Sequence, residues 1–350
     1  MLEARTVTIE IDDGKVVSYR IRGLEEEEIG GWAAFCASVF SYKAHPPPAS
    51  YFERHYYNDP RCEASLVRVA LTEEDGKIVS SCRVFRKRLS AGAGGFAVEA
   101  GGIGEVCTDP AHRKRGLSKL LLQDAIEIMT NKEKMQISLL HAAPTFFPVY
   151  QRGGNYENTT SRWTTVSVAT DRLESVTGEE TKGLRLAEFP NDTPRLQALH
   201  QEYSERRFAG CVIRSTEYWN NYISKELDGS LWVLTDKDNT VYAWLSLRPR
   251  GNGRYQLREF GRSLEGEGNT RVDLSYLLKK ALSDATENVI TLHLPTMVLE
   301  EARGAEFLEP DSVATEDDQG WMYRSLQDDA VSMVEITQTI PHLIWPSDSF

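Results

Sequence analysis

The sequence predicts an α/β (α+β) fold: two successive units, each a mixed central sheet flanked by helices, followed by a tail. Three observations carry that prediction. The chain has 350 residues, more than one small core accommodates. Apolar spacing switches repeatedly between strand and helix periods in both halves. A polar, acidic stretch over 171–183, suited to a linker, separates two regions in which the same order of elements recurs. The predicted divisions are 1–170, 184–325 and a tail over 326–350.

In the first unit, MLEARTVTIEIDDGK is strand-like and unlike a secretory signal or a basic transit peptide. Residues 26–41 read as a helix with Trp32, Phe35, Cys36 and Phe40 inward, interrupted near Gly30-Gly31. A second short helix holds Tyr51, Phe52 and Tyr56. Strands Ala64–Leu71 and Lys77–Lys87 join at Glu74-Asp75-Gly76, a tight-hairpin signal. Ser90–Gly95 reads as a flexible connection. A strand over Gly101–Thr108 leads to a helix with Leu117, Leu120, Leu121, Ala125, Ile128 and Met129 at helical spacing, then to a buried strand over Gln136–Ala142. A short helix over Thr145–Gln151 ends at Gly153-Gly154, and Arg162–Ala169 closes the unit.

The second unit repeats that order. Leu196–Arg206 and Thr216–Glu226 read as helices, and Ser230–Thr235, Tyr242–Arg248 and Arg254–Phe260 as strands. Asp273–Asp284 is a helix, with Val289–Leu294 and Gly320–Ser325 as the last strands.

Composition excludes several classes. A hydrophobic content of 41% fits a globular chain rather than a disordered one. No apolar run reaches the roughly 18 residues of a spanning helix, so no membrane role is expected and the chain reads as cytoplasmic. Cys36, Cys62, Cys82, Cys107 and Cys211 are scattered without C-x-x-C pairs, which suits reduced thiols and suggests no metal site. A formal net charge of −12 disfavours nucleic acid as a partner. It reads first as solubility, and second as an attraction for a cationic amine.

The most informative stretch is Gly104 to Met129, GEVCTDPAHRKRGLSKLLLQDAIEIM. A strand enters a basic, glycine-containing turn that opens a helix, so several N–H groups converge at the positive end of a helix dipole. That is a pyrophosphate site. Gly116 lets backbone approach the ligand, Ser118 leaves room, and Arg113, Lys114 and Arg115 add positive charge. Neither Gly-Lys-Ser/Thr nor Gly-x-Gly-x-x-Gly is present in this turn.

Arg-x-x-Gly-x-(Gly/Ala), with a proline three residues upstream, resembles the acetyl-coenzyme A turn of the GNAT (GCN5-related N-acetyltransferase) superfamily. Here it stands as Pro110, Arg113, Gly116 and Ser118, with Ser in place of the usual Gly or Ala. The resemblance implies tandem GNAT-like domains, a catalytic one over 1–170 and a degenerate one over 184–325. The second has only the acidic SLEGEGNTRVDLS before the helix at Asp273. It also implies acetyl-CoA as cofactor, coenzyme A as product, no metal, and direct transfer to a primary amine, either a small molecule or a lysine. Val106, Cys107 and Thr108 would pair with the pantetheine arm. Lys114, Arg115, Gly116, Leu117, Ser118 and Lys119 would surround the pyrophosphate, with Thr145 and Phe146 at the thioester end.

Transfer to an amine needs proton management, since deprotonating an alkylammonium at pH 7 costs about 4–5 kcal/mol. FFPVYQRGGNYE resembles the family's element that puts a tyrosine hydroxyl near the cofactor sulfur, which makes Tyr150 the general acid; Asn155 falls where an aromatic is usual, with Tyr156 next. Two groups compete as proton acceptor. Glu105 lies in the strand facing the thioester, and could equally pair with Arg83 or Arg86. The tail PHLIWPSDSF ends in an aromatic residue after an apolar anchor. With the turn and the Tyr150 element, it resembles the Eis (enhanced intracellular survival) acetyltransferases, in which the C-terminal carboxylate accepts the proton; here that is Phe350. Known Eis proteins carry a further sterol-carrier-like module for which 326–350 is too short, so ring-like assembly does not transfer and a homo-oligomer stays open. A non-catalytic acyl-CoA-binding sensor or interaction module is the alternative reading.

Overall fold

The computed structural model describes residues 4–11, 14–42, 45–92, 96–174, 183–265 and 270–348, apart from the side chains at 174, 310 and 311. In the first half these form β1 (Arg5–Glu10), β2 (Val16–Gly23), α1 (Ile29–Val39), α2 (Ala49–Tyr57), β3 (Val67–Thr72), β4 (Ile78–Ala91), β5 (Ala97–Thr108), α3 (Leu117–Glu127), β6 (Ile137–His141), α4 (Phe147–Gly154) and β7 (Glu157–Asn158). Then come β8 (Ser161–Ala169), α5 (Thr170–Glu174), β9 (Gly183–Leu186), α6 (Thr193–His200), β10 (Ala209–Val212), α7 (Thr216–Tyr218) and α8 (Ser224–Glu226). The chain continues through β11 (Leu231–Thr235), β12 (Val241–Gly251), β13 (Arg254–Arg262), α9 (Thr270–Ala281), β14 (Val289–Pro295), α10 (Thr296–Glu301), β15 (Leu308–Asp318), β16 (Trp321–Ser325) and α11 (Met333–Ile336).

Two mixed sheets result. The first runs β1-β2-β3-β4-β5-β6-β16-β7, with β10 beside the far end of β4; the second runs β15-β8-β14-β13-β12-β11-β9. Helices α1 and α2 cover one face of the first sheet through Trp32, Cys36, Phe52 and Val69. The other face packs Leu121 and Ala125 of α3, and Met129 of the π turn that follows it, against Ala70 and Val84. A third core joins both halves, running from Leu89 and Leu139 through Trp219 and Trp244 to Leu343, Ile344 and Trp345.

Sequence order and sheet membership part at two strands. The strand predicted to close the first unit, β8, lies in the second sheet between β14 and β15. The last strand of the second half, β16, pairs instead with β6, Trp321 opposite His141 and Ser325 opposite Ile137. Each half thus lends a strand to the other's sheet. Apolar alternation identifies a strand but not its neighbour, which is why the exchange does not show in the pattern.

Other differences are local. No break occurs at Gly30-Gly31: they fall in the first turn of α1, preceded by a short 3₁₀ turn over Glu26–Glu28. Phe35 and Phe40 are half-buried while Trp32 and Cys36 are fully enclosed. The linker begins as α5, with 175–182 outside the described residues, as are 93–95 of the predicted flexible connection. Strand β15, LEPDSVATEDD, was not foreseen because its charge hides the alternation; as a sheet edge it meets only β8, and charge there discourages pairing with another molecule. The stretch 216–226 is helical throughout but passes a π turn at Trp219–Ile223. Among the described residues no helix is long and apolar enough to cross a membrane.

The tail is built into the fold. Ala209 N–H donates to the Pro341 carbonyl and Leu343 N–H to the Ala209 carbonyl, both at 3.0 Å. His342 shares hydrogen bonds with Ser161 of β8 and, at 2.7 Å, with the Tyr323 hydroxyl of β16, so one imidazole ties the tail to both exchanged strands. Burial pulls its pKa down to about 3. Trp345 Nε1 donates to Ser204 Oγ at 3.0 Å, and Asp348 is completely buried.

Candidate active site

Strands β5 and β6 run parallel only from Ala100 opposite Ile137 to Ile103 opposite Leu140. Beyond that point β6 ends and β5 continues to Thr108, still bonded to β4 on its other side. The edge over 104–108, which includes Val106, Cys107 and Thr108, is therefore open towards the gap. Within it the β4–β5 register slips, Ser81 facing Cys107 but Arg83 facing Gly104. The extra residue is accommodated at Glu105, whose φ is +53°, a conformation that costs of order 1–3 kcal/mol for a residue with a Cβ.

The turn after β5 is held in shape by its own side chains. Asp109 accepts from Ala111 N–H at 2.7 Å, and Arg113 Nε donates to the Thr108 carbonyl at 3.1 Å. Lys114 and Gly116 both have positive φ, +62° and +75°. Gly116 is the N-cap of α3 and no side chain caps the helix there; a Cβ at Gly116 would meet nothing within 4 Å. The first-turn N–H groups of Leu117, Ser118 and Lys119 thus face open space at the positive end of α3. That fits a diphosphate. Lys114 and Lys119 are exposed beside it, whereas Leu117 contributes only its backbone, because its side chain is in the core. The Arg115 guanidinium is turned onto Tyr19, His112 and the Ala111 carbonyl, so it braces the turn.

Thr145 and Phe146 are exposed in a 3₁₀ turn just past β6. Tyr150 follows on α4, half-buried and edge-on to Tyr156 at 6.3 Å. Among the described residues its hydroxyl has no hydrogen-bond partner. Burial raises its pKa above the ordinary phenol value, keeping the proton on at neutral pH. Asn155 is the left-handed C-cap of α4, and Tyr156 turns inward to share a 2.7 Å hydrogen bond with Ser138.

Glu105 points to the α1–α2 side, with its side chain 8% exposed and Oε1 3.5 Å from Arg83 Nη1. Arg83 Nη2 donates to the His55 carbonyl at 3.3 Å, and its guanidinium lies 4.0 Å over Phe85. Arg83 Nη1, Glu105 Oε2 and His55 Nε2 are buried without hydrogen-bond partners. The unpartnered atoms of the Arg83–Glu105 pair mark a place for water or a polar ligand. Burial outweighs Arg83 and pushes Glu105 up to about 6.

The sequence reading missed the charges that connect this spot to the tail. Two residues along β4 from Phe85, Lys87 is buried, 3.6 Å from Asp59, donating to the Tyr218 hydroxyl at 3.0 Å. Burial lowers its pKa. Across the interface Arg214 is wholly buried; its Nε donates to both Asp348 oxygens at 3.1 Å, and its Nη2 to Asp348 at 2.6 Å and to Glu259. Arg83, Phe85 and Lys87 at two-residue spacing were the available signal, since ionic residues on an inward strand face need partners. Phe350 lies outside the described residues, as do 266–269 of the acidic turn in the second half. Among the described residues no group of His, Cys, Asp or Glu is arranged to hold a metal.

Residues 20–158 match the family model described as an acetyltransferase (GNAT) domain. No curated protein matches the chain. Among solved structures it is similar to a conserved protein of unknown function from Enterococcus faecalis V583, described as a probable N-acyltransferase (14% identity, 88% of this chain and 72% of that one, TM-score 0.63). It is also similar to Eis1 from Mycobacterium abscessus (16%, 88% and 73%, TM-score 0.57). Saccharomyces cerevisiae N-myristoyltransferase with bound myristoyl-CoA is similar over 98% of this chain and 90% of that one (14%, TM-score 0.56). At these identities the likeness is one of fold.

Proposed function

From the premise that this chain carries a GNAT acetyltransferase domain, and is by class an N-acyltransferase, we propose an acetyl-CoA-dependent enzyme that moves acetyl directly to a primary amine. The observation that carries the proposal is the uncapped start of α3 opening beside the splayed edge of β5. Acetyl-CoA supplies the acyl group activated as a thioester. The N–H groups at 117–119 hold its diphosphate, with Lys114, Lys119 and Arg113 adding charge, and the edge over 106–108 aligns the arm. The first half and the tail do the chemistry; the second half packs and shapes. Five unpaired thiols suit the cytoplasm.

Tyr150 gives its proton to the departing thiolate, which a protonated, half-buried phenol with an unpartnered hydroxyl is placed to do. The amine proton goes to Glu105, directly or through water, or to the Phe350 carboxylate. Glu105 is favoured by its unpartnered oxygen and by its raised pKa, which brings a carboxylate nearer to a useful base. The tail is favoured by its burial up to Asp348.

The test is thiol release from acetyl-CoA with primary amines, read against pH. Glu105 accepts a proton only when ionised, so kcat/KM should decline as pH falls through about 6, and Glu105→Gln should abolish that limb. Extending the chain beyond Phe350 should cost roughly 10²-fold or more in kcat while the fold survives. A limb that persists in Glu105→Gln assigns the proton to the tail; full activity in the extended chain assigns it to Glu105. Tight coenzyme A binding with no turnover on any amine would favour the acyl-CoA sensor.

A further inference from the structure

The chain is acidic overall, yet the surface beside Glu105 is basic. Glu226, at the end of α8, is met by Arg258 through a hydrogen bond, by Arg248 at 3.3 Å and by Arg54 at 3.6 Å. His55 Nε2 lies 3.5 Å from the same carboxylate, and burial lowers the imidazole pKa, so it adds no fixed charge at neutral pH. Arg250 stands two residues beyond Arg248 on β12, hydrogen-bonded to neutral Gln256. Desolvation, then the Arg248 charge, lowers its own pKa. Among the described residues, Glu226 is the one carboxylate that Arg54 and Arg248 touch. One anion thus faces three guanidiniums, with a fourth alongside. Such a local excess of positive charge attracts a further anion.

This cluster borders the reaction spot. The His55 ring lies tilted 4.0 Å from that of Tyr51, Arg54 lies 5.9 Å from the Tyr51 ring, and the His55 carbonyl holds Arg83, the partner of Glu105. The Tyr51 phenol feels Glu105, Glu226, Arg248 and Arg54 together. Two of the arginines are accessible, the Arg54 side chain 49% exposed and Arg248 35%.

We propose that Arg54, Arg248 and Arg250 select an acceptor carrying a carboxylate or phosphate as well as its reacting amine, gripping the anionic end while the nitrogen faces Glu105. The proposal rests on the acetyl-transfer reading and deepens it: the acceptor is an anionic amine, of the amino-acid or aminoalkyl-phosphate kind, not a polycation. A planar guanidinium pair suits either anion through paired N–H donors.

The experiment uses the full chain with acetyl-CoA and a panel of ω-amino acids of increasing length, aminoalkyl phosphates, diamines and an aminoglycoside. The native enzyme should prefer the anionic amines, and the two anionic series separate carboxylate from phosphate. Arg54→Ala and Arg248→Ala should each raise KM for those acceptors roughly 10- to 100-fold with little change in kcat, and leave diamines unaffected. Arg248→Glu should turn preference towards diamines. Preference of the native enzyme for diamines or the aminoglycoside, or an equal loss on every acceptor in the arginine variants, would overturn the proposal. Calorimetry on the coenzyme A-bound protein reads the same selection without turnover. There, heat from the anionic amines but no thiol release would sink the catalytic reading alone, whereas heat from diamines only would sink this one.

Discussion

Replacing Arg214 by Ala should destabilise the protein by about 3–5 kcal/mol, a large part of an ordinary folding margin. The guanidinium is fully enclosed and answers two carboxylates, Asp348 and Glu259, together with Ser347. Without it both carboxylates stay buried with no counter-charge. Burial already raises the Glu259 pKa. The sign of the pH effect follows: a carboxyl whose folded pKa is raised stabilises the fold below its unfolded value and loses that contribution as pH rises. The variant should therefore be relatively firmer at pH 5 than at pH 8, which urea unfolding at the two values would check. A loss under about 1 kcal/mol would mean that water replaces the arginine and that the tail is less firmly held than its contacts indicate.

Tyr150→Phe should lower kcat by roughly 10²–10⁴-fold while changing coenzyme A affinity by less than about threefold. The ring packs beside Tyr156 and the apolar face of α3, contacts that Phe keeps. The change removes only a hydroxyl that bonds to no described residue. Steady-state thiol release, set beside calorimetry with coenzyme A, separates the two quantities. Equal losses in both would make Tyr150 a binding residue and leave the departing thiolate to take its proton from solvent.

The turn before α3 and the helix behind it were legible in the sequence because they depend on local backbone: Pro110, Gly116 and an amphipathic pattern fix where the N–H groups point. The helix that carries Tyr150 was legible for the same reason, and after it Tyr156 turns inward. Arg115 was assigned to the phosphates from its charge, yet it braces the turn, because a pattern cannot show that Tyr19 and His112 lie within its reach. The ion pairs were out of view. Arg214 and Asp348 lie 134 positions apart, and Arg83 meets Glu105 only because a bulge turns that carboxylate inwards. The strand exchange was hidden because β8 and β16 have the alternation of any half-buried strand.

That exchange makes the two halves interdependent. A fragment cut after α5 would keep β8 with nothing to pair it and leave the first sheet ending at β6, where Trp321–Ser325 should lie. The complementary fragment would lack the strand that joins β14 to β15. Neither piece is a self-sufficient folding unit, and the two regain their missing strands only by assembling with each other.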